Sequence, residues 1–479
     1  VNDQILKLFG FIVVLFALLV FFSSRWTVFS ASALDDNSLN HLTAIRQAKV
    51  KRGEILADDG AVLARSVPAG SGTWTRTYPQ GSLFAQTVGY WRGSGDDAGL
   101  EDYYSRDLEG TPQGVSSVLG PLSSSTQIGD TLHTTLDPKA QEAARAGLAG
   151  RVGAVVALDP RTGAVLAMYA DPTFDANAKT IDDAACRKVS CQFNRATQSA
   201  YPPGSTFKVV TATSAIDSGK FTPESQVDGH SPVTISGVPL ANDPGDPSFG
   251  EVSLTYALTQ SINTVWAQVG VELGTRTMTT YMKRYGFYAR PPIDLPAGEL
   301  RASDVLSPAG VAYPPGSPDE DIGRIAIGQG GLSVSPLQMA MVASAVADGG
   351  RLMVPHLVST IVNHDGVTVR TVRPRLYHQV MSATSAGEIN EMMRTVVDEG
   401  TGVPARLASG IQFAGKTGTA SVGPPGEDRT DPWFIGFAPA DDPKVAVAVA
   451  LENTDNGYGG QVAGPIASSV VQTLLDEGK

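Results

Sequence analysis

Cysteine is nearly absent from the 479 residues: Cys186 and Cys191, in CRKVSC, are the only two. A lone C-x4-C pair lacks the further ligands of a zinc site. The six histidines (His41, His133, His230, His356, His364, His378) are scattered without metal-binding spacing. No metal or other cofactor is therefore expected. The pair reads as a short-loop disulfide if it lies in an oxidising compartment, and otherwise as two free thiols. Basic runs are missing too: none exceeds Lys51–Arg52, and the net charge is −12. That excludes nucleic acid as a partner, since it requires a basic surface. The 51 glycines and 31 prolines follow no period, which excludes a collagen-like chain and implies many turns.

Long apolar runs are lacking with one exception, LFGFIVVLFALLVFF from Leu8 to Phe22, inside an uncharged span ending at Ser24 and bracketed by Lys7 and Arg25. Its 17 uncharged residues reach the lower end of the ~17–25 needed to cross a bilayer. Trp26 stands where an interfacial aromatic belongs, which favours an uncleaved anchor. Ala31-Ser32-Ala33 has the small residues of a cleavage site and keeps a signal peptide as the rival reading. The expected layout is a stub over residues 1–7, an anchor over 8–24, and everything beyond on one side of the membrane.

After the anchor, EILA and AVLA flank Asp58-Asp59-Gly60 and predict two short strands joined by a turn. Residues 35–130 read as an irregular, β-rich pedestal. At Thr131 the pattern changes. TLHTTLDPKAQEAARAGL predicts a strand, Asp137 as helix cap, Pro138 in the first turn and then a helix. VGAVVALDPRTGAVLAMYA predicts an antiparallel hairpin turning through Asp159–Gly163. Two more strands are expected at Trp433–Phe437 and Val445–Leu451. Strands at both ends of residues 131–479, with helices between, imply one α+β domain that closes its antiparallel sheet late in the chain.

Three polar sites interrupt this plan. In YPPGSTFKVV, Pro202, Pro203 and Gly204 precede an apolar helix, with Ser205 at its start and Lys208 one turn on. A buried lysine sheds its proton readily, and a neutral amine beside a hydroxyl is a general base for a serine nucleophile. The plainer alternative is a capping serine and a snorkelling lysine. In SLTYALTQSINTVWAQVG, Ser261 and Asn263 separate two helical pieces. Residues i and i+2 do not share a helical face, so they converge only from a turn or extended link; loop polarity and capping are the alternative. In IQFAGKTGTASVG a strand carries Lys416, with Thr417 and Thr419 on one face. Gly418 permits close approach of another backbone. Such a strand suits a peptide or carboxylate, and its alternative is an edge lysine that blocks aggregation.

In this order, S-x-x-K (205–208), S-x-N (261–263) and K-T-G (416–418) form the signature of penicillin-interacting serine enzymes, with Ser-Ile-Asn in place of Ser-Asp-Asn. The chain resembles the class B penicillin-binding proteins, monofunctional D,D-transpeptidases of peptidoglycan synthesis, and more narrowly their actinobacterial PbpA type. The likeness runs along the whole chain. RGEILADDGAVLA resembles their N-terminal box R-G-x-I-x-D-R-x-G-x-x-L-A, with Ala57 and Asp58 departing from it. GLEDYYSRDLEG (99–110), GQGGLSVSPLQMA (328–340) and WFIGFAP (433–439) resemble further stretches.

The resemblance implies a serine β-lactamase/D,D-peptidase-like transpeptidase fold, with a five-stranded antiparallel sheet flanked by helices and a helical subdomain. It implies Ser205 as the acylated nucleophile, Lys208 as its base, Ser261 as proton relay and Asn263 as a holder of the donor peptide. Lys416 would support the proton network. Thr417 and Thr419 would bind the terminal carboxylate, and the N–H groups of Ser205 and Thr419 would form the oxyanion hole. Peptidoglycan stem peptides and β-lactams are the implied ligands. A polytopic glycosyltransferase of the shape, elongation, division and sporulation family is the implied partner, with the catalytic domain outside the plasma membrane. The competing readings are a D,D-carboxypeptidase, a β-lactamase and a largely non-enzymatic divisome scaffold.

Overall fold

The computed structural model describes residues 2–25, 47–93, 95–110, 127–178, 180–181, 184–243, 245–422, 429–455 and 457–479. Helix α1 (Asn2–Ser24) leaves its apolar side chains, Phe9, Leu15, Phe16 and Leu19 among them, exposed. At 1.5 Å per residue, its 23 residues extend about 35 Å, enough to span the ~30 Å core of a bilayer. Trp26 and Ala31–Ala33 lie outside the described residues.

The expected strand pair after the N-terminal helix forms. β1 (Ile55–Leu56) runs antiparallel to β2 (Val62–Gly70), turning at Gly60, and β2 pairs with β3 (Thr73–Thr77). Ser71 and Gly72 between them both take positive φ, which matches the twist a two-residue hairpin needs. Buried Arg52 and Arg76 both grip Glu101, at 3.1 and 2.6 Å, tying these strands to short helices at 99–103 and 105–109. β4 (Thr131–Thr134) pairs with β1 on one side and with the strand Val358–Val362 on the other. One six-stranded sheet therefore runs from the N-terminal segment into the C-terminal one. Asp294 reinforces this seam by accepting from the N–H groups of Leu357 and Val358 and from the Tyr104 hydroxyl.

The second large sheet carries the site. β5 (Gly153–Leu158) and β6 (Val165–Asp171) form the predicted hairpin. β7 (Ala414–Val422), β8 (Arg429–Ala438) and β9 (Val445–Leu451) complete the antiparallel order β7-β8-β9-β5-β6. The sheet closes where late β9 pairs with early β5. The inner strands β5 and β9 are apolar along their whole length because both faces are covered. Val155 and Ala157 face one core, while Ala154, Val156 and Leu158 face the other.

Five helices matter most: α2 (Pro138–Leu148), α3 (Lys208–Asp217), α4 (Asn263–Arg284), α5 (Pro336–Ala347) and α6 (Gly459–Asp476). α2 starts at Pro138 with Asp137 accepting from the N–H groups of Lys139 and Ala140, as its sequence predicts. α2 and α6 cover one face of the sheet, and α5 covers the other. α3 packs against α4 and is buried on all sides from Lys208 to Ile216. Cys186 and Cys191 are joined as a disulfide, with Cα atoms 5.0 Å apart.

Candidate active site

Ser205 does not open an α-helix directly. Gly204–Phe207 is a single 3₁₀ turn, and Lys208 is the first residue of α3. In a 3₁₀ turn, side chains at i and i+3 eclipse, so this geometry sends Ser205 and Lys208 to one side. The turn is clamped by backbone. A Cβ on Gly328 would lie 1.8 Å from the Gly204 oxygen, and one on Gly418 would lie 2.8 Å from the Pro203 oxygen. The Ser205 hydroxyl makes no hydrogen bond among the described residues, so its oxygen is not committed to a structural partner.

The Lys208 amine is fully buried and turns toward the second motif. Nζ donates to the Ser261 carbonyl (2.6 Å) and to Asn263 Oδ1 (2.6 Å), with Ser261 Oγ at 3.2 Å. Snorkelling is thereby ruled out. Ser261 adopts a left-handed φ of 60°, and Ile262 is extended before α4 begins at Asn263. That corner brings together two residues that a helix would have turned apart. The buried Ile262 side chain between them anchors it. Asn263 is not a cap: its Oδ1 serves Lys208 and its Nδ2 donates to Asp243 Oδ1 at 2.9 Å.

The third motif lies on β7, the edge of the sheet, yet Lys416 is fully buried. Its Nζ donates to Ser261 Oγ and to the Thr417 carbonyl, both at 2.9 Å. An aggregation-blocking lysine would face water, so that alternative fails. Ser261 Oγ thus stands between two amines, Lys208 and Lys416. Burial pushes Lys208 down to about 7 against the opposing pull of the Asp243 and Asp246 carboxylates. Burial, and then the neighbouring Lys208 charge, hold Lys416 well below the ordinary lysine range. Two ammonium charges on one buried hydroxyl repel, so a proton on one amine disfavours a proton on the other. When Lys208 is neutral, its two hydrogens satisfy the Ser261 carbonyl and Asn263 Oδ1. Its lone pair is then left to accept from a hydroxyl.

Ser205, Ser261, Thr417, Gly418 and Thr419 line one groove of about 420 Å³. Comparison with known families bears on this arrangement. Residues 153–472 match the penicillin binding protein transpeptidase domain, and residues 52–129 match the penicillin binding protein A dimerisation domain. The chain belongs to the penicillin-binding protein transpeptidase family. It is 31% identical, over the full length of both chains, to the peptidoglycan D,D-transpeptidase PbpA of Mycolicibacterium smegmatis. A ceftriaxone acyl-enzyme complex of penicillin-binding protein A from M. tuberculosis superposes with a TM-score of 0.78 at 28% identity, covering 90% of this chain and all of that one. The D,D-transpeptidase domain of a peptidoglycan glycosyltransferase from Eggerthella lenta gives 0.77 at 33% identity, covering 90% and 99%. The expected class B, PbpA-like membership and the expected transpeptidase fold both stand.

In this penicillin-binding protein the groove also holds residues that sequence reasoning missed. Thr401 shares a 2.6 Å hydrogen bond with Thr417, and the Gly459 N–H donates to Thr419 Oγ1 at 3.1 Å. Tyr458, Gln260, Asp243 and Asp246 complete the wall. None carries a local signal, because each is an ordinary polar residue until the fold closes. Gly459 is fixed by packing: a Cβ there would meet the Gly418 oxygen at 2.2 Å, so only glycine lets α6 start against β7.

Proposed function

We propose that the chain is a serine-type D,D-transpeptidase that cross-links peptidoglycan stem peptides through an acyl-enzyme on Ser205. The observation that carries this reading is the buried chain Lys208–Ser261–Lys416, which joins three motifs distant in sequence beside an uncommitted serine hydroxyl. Ser205 Oγ attacks the carbonyl of the penultimate D-alanine, and its proton passes to neutral Lys208. Ser261 delivers a proton to the departing D-alanine amine and is replenished from the lysines, leaving an ester on Ser205. The amine of a neighbouring stem peptide then attacks that ester. It loses a proton to the same network, and Ser205 leaves as a hydroxyl. Asn263 holds the donor amide, while Thr417 and Thr419 take the terminal carboxylate. The N–H groups of Ser205 and Thr419 stabilise the oxyanion, a large share of such catalysis. A β-lactam would enter the first half-reaction, its ring amide opening to an ester on Ser205.

By the same reading, α1 is a single-pass anchor in the plasma membrane, and residues 35–130 are a non-catalytic pedestal. Residues 131–479 are the transpeptidase domain outside the membrane. A polytopic glycosyltransferase is the partner for the anchor and pedestal. Incubating the detergent-solubilised chain with penicillin, locating the modified peptide by mass spectrometry and following the ester over time tests the chemistry. A long-lived adduct on the peptide holding Ser205, absent in Ser205→Ala, is expected. An adduct elsewhere refutes the nucleophile, and rapid loss of the ester points to a hydrolase instead.

A further inference from the structure

We infer that Asp243 is a positioning residue for this reaction: its carboxylate fixes the Asn263 amide so that the amide oxygen faces Lys208. The inference rests on the transpeptidase reading. Asn263 sits between a donor and an acceptor, with Lys208 Nζ at 2.6 Å from Oδ1 and Asp243 Oδ1 at 2.9 Å from Nδ2. A flipped amide would set two donors against each other on the lysine side and two acceptors on the aspartate side. Only the observed orientation satisfies both neighbours, and Asp243 enforces it from the outside.

The neighbouring residue shows that this contact is built into the fold. α4 begins without a side-chain cap, because Ile262 occupies the cap position. Asn242 supplies the missing acceptor: its Oδ1 takes the Thr264 N–H at 3.0 Å, while its own N–H donates to Ser231 Oγ. Asn242 and Asp243 therefore form a strap across the start of α4, one residue capping the helix and the next aiming Asn263. Both Asp243 and Asp246 line the groove that holds Ser205.

The strap has an electrostatic consequence as well. The charged groups facing Lys208 are Lys416 from β7 and Asp243 and Asp246 beside the strap. α3 carries no other charge before Asp217, and α4 carries none before Glu272. Burial opposes the protonated Lys208 amine, whereas the Asp243 and Asp246 carboxylates favour it. Removing the Asp243 charge should therefore make Lys208 neutral at lower pH.

The test is the rate of acylation by a fluorescent penicillin as a function of pH, using the full chain in detergent. Asp243→Asn keeps an acceptor for Asn263 but loses the charge, and Asp243→Ala loses both. For Asp243→Asn, the acid limb should move down by about half to one pH unit, with the plateau falling less than in Asp243→Ala. For Asp243→Ala, the same displacement is expected together with a plateau about tenfold or more lower. A limb that stays in place in both variants overturns the inference, whatever happens to the plateau, because a purely structural loss does not move it. Thermal denaturation checks folding, and should Asp243→Ala unfold, Asp243→Asn alone decides through its limb. A wild-type chain that is never acylated refutes the transpeptidase reading instead.

Discussion

Gly418 offers a direct test of how tightly the Ser205 turn and the K-T-G strand must fit. A Cβ placed there would lie 2.8 Å from the Pro203 oxygen, 2.9 Å from Thr206 Cγ2 and 3.1 Å from Thr206 N. Comfortable carbon contacts are roughly 3.5–4.0 Å. A methyl group must therefore open the gap by about half an ångström to one ångström. The obstructing atoms flank Ser205 in its own turn, and two of the three are backbone, so rotation of one side chain cannot relieve them. Gly418 has no positive φ, which leaves the effect purely steric. Overpacking of this kind costs about 1–3 kcal/mol of stability. Its effect on chemistry is larger, because a misplacement of about 1 Å costs on the order of a hundredfold in rate. For Gly418→Ala we expect acylation by a fluorescent penicillin to slow by about ten- to a hundredfold, while the chain still melts cooperatively. Wild-type acylation kinetics in that variant would refute the argument that the strand and the turn must touch for Ser205 to react.

Three further outcomes follow from the same geometry. Gly387→Ala, on an exposed face of the helix Ala383–Asp398 with nothing within 4 Å, should stabilise by about 0.5–1 kcal/mol and leave acylation unchanged; a slower reaction would mean that glycine substitutions act non-specifically. Ser261→Ala removes the hydroxyl between the two amines and should slow acylation by about a hundredfold or more. Ser261→Gly should be as slow although it relaxes the left-handed backbone, and recovery in that variant would assign the defect to strain rather than proton transfer. Lys208 should also mark the pH dependence of stability. It falls from 10.5 to about 7 on folding, so between those values the unfolded chain binds more protons and wild-type stability rises with pH. The stability of Lys208→Met relative to wild type should therefore decline as pH climbs from about 7 to 10.5, and a constant difference in denaturant titrations would contradict burial of a neutral amine.

The parts of this molecule written in local pattern were legible from the sequence. The hairpin Gly153–Asp171, the Asp137 cap with Pro138, and the late strands at 433–437 and 445–451 all depend on neighbours a few residues away. The same is true of the helix carrying Lys208, whose apolar run signals burial. Convergence of the three motifs was legible only through the family signature, since nothing between Lys208, Ser261 and Lys416 encodes their distances. The direction of the Lys208 amine was not legible: S-x-x-K suggests a contact with Ser205, whereas its hydrogen bonds go to Ser261 and Asn263. Asp243 and Thr401 were invisible for a related reason, because their partners lie on chain segments that meet only in the finished fold. The pedestal looked irregular for a different reason. Buried apolar residues such as Leu63, Tyr78, Phe84 and Leu100 come together there with ion pairs between Arg52, Arg76 and Glu101, and neither set repeats with a period that can be read.

The proposed catalytic groups occupy a place that weakens the fold, and this explains how they are held. Two lysines are stripped of water, and Ser261 is kept at a left-handed φ that costs on the order of 1–3 kcal/mol. None of these features favours the folded state by itself. Each lies next to apolar structure that tolerates no slack. Lys208 leads into a helix buried on every side, Ser261 precedes buried Ile262, and Lys416 sits on a strand paired with fully buried Phe434 and Ile435. Relaxing any one group would unpack part of that core, so the core sets the distances between the amines and the hydroxyl. It follows that trimming Ile262 should lower the melting temperature and slow acylation together, and a variant that melts lower yet acylates at the wild-type rate would show that the strain is held elsewhere.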